Sequence, residues 1–190
     1  MMTTKNRKNP LVRWILVLLI LAVAGYAGYR VLQVRQADRD ADAVLAVMYK
    51  QIPNLGVDTG VSTGVGQDPM LTLSINNIDI VGCLEIPSID LMAPVTVAGE
   101  EKEGFVSFVS GSPIKGKLML EGDKGTTLQK LTKVQPEAVV AFTDIEGIRY
   151  NYKVTTQYNL KNWDEGYNDL MICYRTNDKT RFLLGCARAE

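Results

Sequence analysis

The chain contains no histidine. This removes the side chain whose ordinary pKa lies nearest neutrality, and with it the usual acid–base of acyl-transfer sites and the commonest metal ligand. Its three cysteines, Cys83, Cys173 and Cys186, are far apart and form no C-x-x-C pair. A zinc site is therefore not expected, and neither is any other metal or cofactor. Net charge is also missing, with 21 Lys+Arg against 21 Asp+Glu. The clustered basic face that nucleic-acid binding requires is absent, so no nucleic-acid partner is expected. No acidic residue precedes Asp38, and no internal repeat is evident.

What is present begins with a membrane signal. Lys5, Arg7, Lys8 and Arg13 precede a run from Trp14 to Tyr29 that carries no charge. Val31, Leu32 and Val34 bring it to the length of a spanning helix if Arg30 snorkels to the headgroups. Trp14 and Tyr29 stand where interfacial aromatics belong. The preceding positive charges place residues 1–13 in the cytoplasm as a basic tail and the rest of the chain outside the cell. Residues 14–34 read as a single-pass signal anchor. A cleaved signal peptide ending at Ala22-x-Ala24 is the competing reading. Residues 35–52 repeat Ala37, Ala41, Val44, Leu45 and Met48 at helical spacing, with Asp38, Arg39, Asp40 and Asp42 on a solvated face. They predict a juxtamembrane helix able to continue from the span as a stalk.

Residues 53–70 hold Gly56, Gly60, Gly64 and Gly66 without hydrophobic period, and read as a flexible linker. From residue 71 to 190 short apolar alternations are broken by turn residues. Strands are predicted near Leu71–Ile75, Ile78–Ile86, Ala93–Val97, Gly104–Val109, Lys117–Glu121, Ala138–Thr143, Ile148–Tyr158, Asp169–Cys173 and Arg181–Ala187. One short helix is predicted at Thr126–Val134. Eight or nine short strands with one helix predict a mainly β domain folded as a closed barrel. Tyr150, Tyr152 and Tyr158 alternate and read as one face of a strand. Cys83 and Cys186 read as small buried apolar residues. A Cys83–Cys186 disulfide outside the cell would leave Cys173 free.

Four segments, in order, resemble the sortases, the membrane-anchored cysteine transpeptidases of Gram-positive bacteria. Val81-Gly82-Cys83-Leu84-Glu85-Ile86-Pro87, followed by Pro94-Val95, resembles their opening strand. Ser110-Gly111-Ser112 before Leu118-Met119-Leu120-Glu121-Gly122 resembles the approach to their catalytic Gly-His. Phe142-Thr143-Asp144, with Gly147-Ile148, resembles the hairpin that follows. Leu170-Met171-Ile172-Cys173 and then Arg181 resemble their strand-ending cysteine and catalytic arginine.

The resemblance implies a sortase-like closed β-barrel of about eight strands. It also implies a thiol peptidase that cleaves the sorting signals of surface proteins or pilins. Cys173 would attack the peptide carbonyl, Arg181 would favour the thiolate and clamp the oxyanion, and a cell-wall precursor or pilin amine would resolve the thioacyl enzyme. Asp123 stands where the histidine is expected. An ordinary aspartate titrates near 3.9 and at neutral pH has no proton to give a leaving amine. The residues therefore imply an attenuated or inactive member, with Asp123 paired to Arg181. Two alternatives stay open. One is a non-catalytic binding or scaffold module for sorting-signal peptides or a partner sortase. The other is a catalyst that borrows its acid from Asp123 or Tyr174.

Overall fold

The computed structural model describes residues 10–53, 55–56, 68–99, 102, 104–122, 127–160, 168–177 and 180–189. Most of the expected linker, together with residues 161–167, lies outside this set. Two compact units divide between Gln36 and Ala37.

The first unit is the N-terminal part of helix α1, which runs Pro10–Gln51. It opens at a proline, whose fixed φ suits a first helical turn, and Pro53 follows its end. Trp14, Leu18, Leu21 and Tyr26 are exposed in this stretch. By length and composition the helix is able to cross a membrane, consistent with a single-pass topology.

The second unit begins with the remainder of α1. The sequence suggests a helix able to continue from the span as a stalk; here its apolar stripe is covered. Ala41, Val44 and Met48 form a buried cluster with Ile75, Ile78, Ile80, Cys83 and Phe105. Two features of the chain just before Val106 fit this docking. Gly104 has φ +85, and a Cβ there would meet the Ala37 carbonyl oxygen at 2.7 Å. Lys102 forms an ion pair with Asp40 at 3.7 Å.

Nine strands follow: β1 (Leu73–Ile75), β2 (Ile78–Ile86), β3 (Leu91–Thr96), β4 (Val106–Ser112), β5 (Gly116–Gly122), β6 (Val139–Asp144), β7 (Arg149–Leu160), β8 (Leu170–Asn177) and β9 (Thr180–Arg188). The closed barrel expected from the strand count is not found. The strands form one mixed sheet in the order β1-β2-β3-β4-β5-β8-β9-β7-β6, with a further pairing of β2 to β6. Eight strands thus follow one another in a ring, while β1 sits outside it on β2. A barrel needs a uniform stagger around its wall. Here the β3–β4 seam is only two parallel residue pairs long, Val95↔Val106 and Thr96↔Ser107. Strand counting registers neither seam length nor strand direction. The predicted helix at Thr126–Val134 is a 3-10 helix, Thr127–Lys133, that buries Leu128 and Leu131.

The main core lies between the faces of this sheet and contains Leu84, Leu118, Leu120, Phe142, Ile172 and Leu184 among others. At the start of the β6–β7 hairpin Asp144 closes a turn. Its Oδ1 accepts from the backbone N–H groups of Glu146 at 3.0 Å and Ile148 at 2.9 Å.

Candidate active site on the β8–β9 face

Cys173 does not end its strand, as the sequence suggested. β8 continues four residues further, to Asn177, and Arg181 is the second residue of β9. In the antiparallel ladder Cys173 faces Leu183 and Arg175 faces Arg181. Because side chains alternate along a strand, Met171, Cys173 and Arg175 share one face with Arg181 and Leu183. Arg181 is the diagonal cross-strand neighbour of Cys173, a relationship within reach of a long side chain. Tyr174 points the other way and packs against the main core, so it is not placed to serve Cys173 as an acid.

β5 completes the face from the other side. It runs parallel to β8 with Glu121 opposite Cys173 and Met119 opposite Met171. Met119, Met171 and Leu183 make a small buried cluster of their own beside Cys173. Glu121 Oε1 accepts from Arg175 Nη2 at 3.1 Å and lies 3.8 Å from Arg181 Nε. All three side chains are partly exposed.

On β7 a register shift between Val154 and Thr156 inserts one residue. Tyr150 and Tyr152 therefore point into the core, whereas Tyr158, paired with Leu183, stands half-exposed on the Cys173 face. The three tyrosines do not share a face, contrary to the alternation read from the sequence.

The Cys173 side chain is fully buried. Burial and then the Glu121 carboxylate push its thiol up to about 12, against an opposing pull from Arg181 and Arg175. The desolvated thiol is held protonated, the reverse of the activated cysteine that an adjacent guanidinium alone would produce. All three cysteines are free and buried.

Of the residues singled out by sequence, Cys173 and Arg181 come together on one face. Asp123 lies outside the described residues. Glu121 and Arg175 were not singled out. Arg175 was accessible in principle, since it sits two positions beyond Cys173 on an alternating strand. Glu121 was not, because only the parallel β5–β8 register brings it opposite the thiol. Among the described residues no cluster of three histidine, cysteine or carboxylate side chains is arranged to hold a metal ion.

No protein-family model matches this chain, and no curated protein does. Solved structures do. Sortase A from Corynebacterium diphtheriae aligns with a TM-score of 0.53 at 15% identity, over 89% of this chain and 96% of that one. Sortase C1 from Streptococcus agalactiae aligns at 0.53 and 18% identity, over 72% and 84%. A Clostridium perfringens sortase D5, described as a transpeptidase, aligns at 0.52 and 14% identity, over 59% and 80%. The chain has the sortase fold. At these identities the likeness carries the fold alone.

Proposed function

We propose that this chain is a membrane-anchored, sortase-fold protein of the cell surface. Its Cys173 face would handle the sorting-signal peptides of surface proteins or pilins, as a cysteine transpeptidase of low or no turnover. Residues 1–13 would lie in the cytoplasm, 14–34 in the membrane, and 71–190 outside the cell. The observation that carries the reading is the placement of Cys173 on β8 and Arg181 on β9 as diagonal cross-strand neighbours, on one face of a sortase fold.

In this reading the Cys173 thiol gives up its proton, which the departing amine finally takes, as the sulfur attacks the signal's backbone carbonyl carbon, and the developing oxyanion is met by Arg181. The peptide C–N bond then breaks to leave a thioacyl enzyme. An amine of a cell-wall precursor or pilin resolves it. The departing amine needs a proton, and in the sequence Asp123 stands where the resemblance expects the histidine that would give one. Loss of such general acid–base help costs about 10²–10⁴ in rate.

The test is to incubate the full-length protein with a sorting-signal peptide library and examine Cys173 by mass spectrometry for a thioacyl adduct. A slow adduct in the wild type, accelerated in Asp123→His, is expected. Neither protein forming one counts against a transpeptidase. The burial of Cys173 favours a second reading, a non-catalytic module that holds sorting signals or a partner sortase. In that case Cys173→Ala leaves peptide capture and the surface-display phenotype unchanged.

A further inference from the structure

Three observations converge on Glu121. Its carboxylate faces Cys173 across the β5–β8 ladder. One of its oxygens, Oε1, lies 3.1 Å from Arg175 Nη2 and 3.8 Å from Arg181 Nε. The two arginines are themselves cross-strand partners, one on β8 and one on β9. A single carboxylate oxygen therefore sits between two guanidiniums on the same face as the candidate nucleophile.

A carboxylate oxygen and the oxyanion of a tetrahedral acyl intermediate make the same demand on a guanidinium. Both are anionic oxygens that accept short N–H hydrogen bonds. We infer that Glu121 is an internal occupant of the arginine clamp, a built-in carboxylate that holds Arg175 and Arg181 until an incoming peptide displaces it. This inference rests on the reading of the Cys173 face proposed above. Glu121 is a carboxylate partner of the clamp among the described residues, and Asp123 lies outside them.

The arrangement has two consequences for chemistry. While Glu121 holds the clamp, an oxyanion forming at Cys173 competes with it for Arg181. The same negative charge sits beside the thiol and opposes loss of its proton. Glu121 thus acts as a positioning and gating residue on both halves of the site. The charged groups described around it are Arg175 from β8 and Arg181 from β9, and both oppose its effect on the thiol.

The inference is tested by titrating the thiolate absorbance of the full-length protein in detergent up to about pH 10.5, short of the alkaline loss of the fold, and extrapolating the Cys173 midpoint from that limb. The Cys173→Ala variant is subtracted at each pH so that tyrosinate and the other thiols cancel. Glu121→Gln is expected to lower the Cys173 midpoint by about one pH unit, or about tenfold more thiolate at a given alkaline pH. A Glu121 charge already cancelled at the thiol by Arg175 and Arg181 leaves that midpoint in place, and superposition of the Glu121→Gln and wild-type curves overturns the inference. Circular dichroism reports whether each variant folds. Should Glu121→Gln not fold, Glu121→Asp keeps the charge but withdraws it by one methylene. An intermediate midpoint then supports the inference and an unchanged one overturns it. No sorting-signal peptide enters this measurement, so its failure is separable from failure of the transpeptidase reading.

Discussion

Cys173 lies directly opposite Glu121 in the parallel ladder that joins β8 to β5. A buried thiol facing a carboxylate is a poor nucleophile at neutral pH, even with Arg181 diagonal to it. With the thiol pushed up to about 12, the thiolate fraction near pH 8 is on the order of 10⁻⁴. Iodoacetamide should therefore label Cys173 in the folded protein at least ~10³-fold more slowly than a free cysteine, whose thiol titrates near 8.5. Peptide mapping by mass spectrometry measures this. Labelling at the free-cysteine rate would mean that the face opens to water and that Glu121 does not stay beside the thiol.

The C-terminal part of α1 belongs to the β unit by packing. Met48 is fully buried beside Ile80 and Cys83, whereas Asp42 on the same helix is exposed. Met48→Ala should destabilise the domain by about 2–5 kcal/mol through the methylenes and sulfur lost from a packed core. Asp42→Ala should stay within ~0.5 kcal/mol of wild type. Urea unfolding followed by circular dichroism separates the two. Equal effects would mean that the helix does not depend on its apolar stripe for docking.

Strand positions were largely legible in the sequence because each strand alternates over a length that turn residues define. Cys173 and Arg181 were legible through the resemblance of their two strands to those of the sortases, and the short hairpin between the strands puts them near each other. The rest depended on contacts between distant segments. The β5–β8 register that sets Glu121 against Cys173 follows from packing, with no trace in local periodicity. The bulge after Val154 moves Tyr158 to the opposite face from Tyr152, and no residue there announces it. The helical stripe of Ala41, Val44 and Met48 was visible, but not the surface it covers. Closure was inferred from strand number, whereas the β3–β4 seam depends on how two segments meet.

A second polar cluster lies under α1, within the core rather than at its surface. Arg149 is 2% exposed and donates to Glu85 Oε2 at 2.8 Å and to Asn151 Oδ1 at 3.2 Å. Glu85 Oε1 has no hydrogen-bond partner among the described residues. Removing one member of such a pair leaves an uncompensated buried charge. Arg149→Ala should cost about 3–5 kcal/mol, while Glu85→Leu with Arg149→Met should restore most of the loss. A double-mutant cycle from urea denaturation gives the coupling, and additive single effects would show that the two charges act independently.

Alkaline pH should destabilise this fold through its thiols. Burial pushes Cys186 up to about 12, burial and Glu121 do the same to Cys173, and burial with Glu85 also raises Cys83. Tyr152 is also raised, first by burial. In the unfolded chain these thiols lose their protons near pH 8.5, whereas in the folded protein they keep them. The folded state then binds more protons than the unfolded one, so stability falls as pH rises. The contribution is fully present below about pH 8.5, where both states are protonated, and it is lost progressively towards pH 12. Each such group removes up to ~1.4 kcal/mol per pH unit across its window. Urea midpoints measured from about pH 8 to pH 10.5 should fall steeply, and more shallowly in Cys186→Ala after allowance for its lower starting stability. A wild-type midpoint that stays level over that range would mean that the thiols ionise in the folded protein as they do in the unfolded chain.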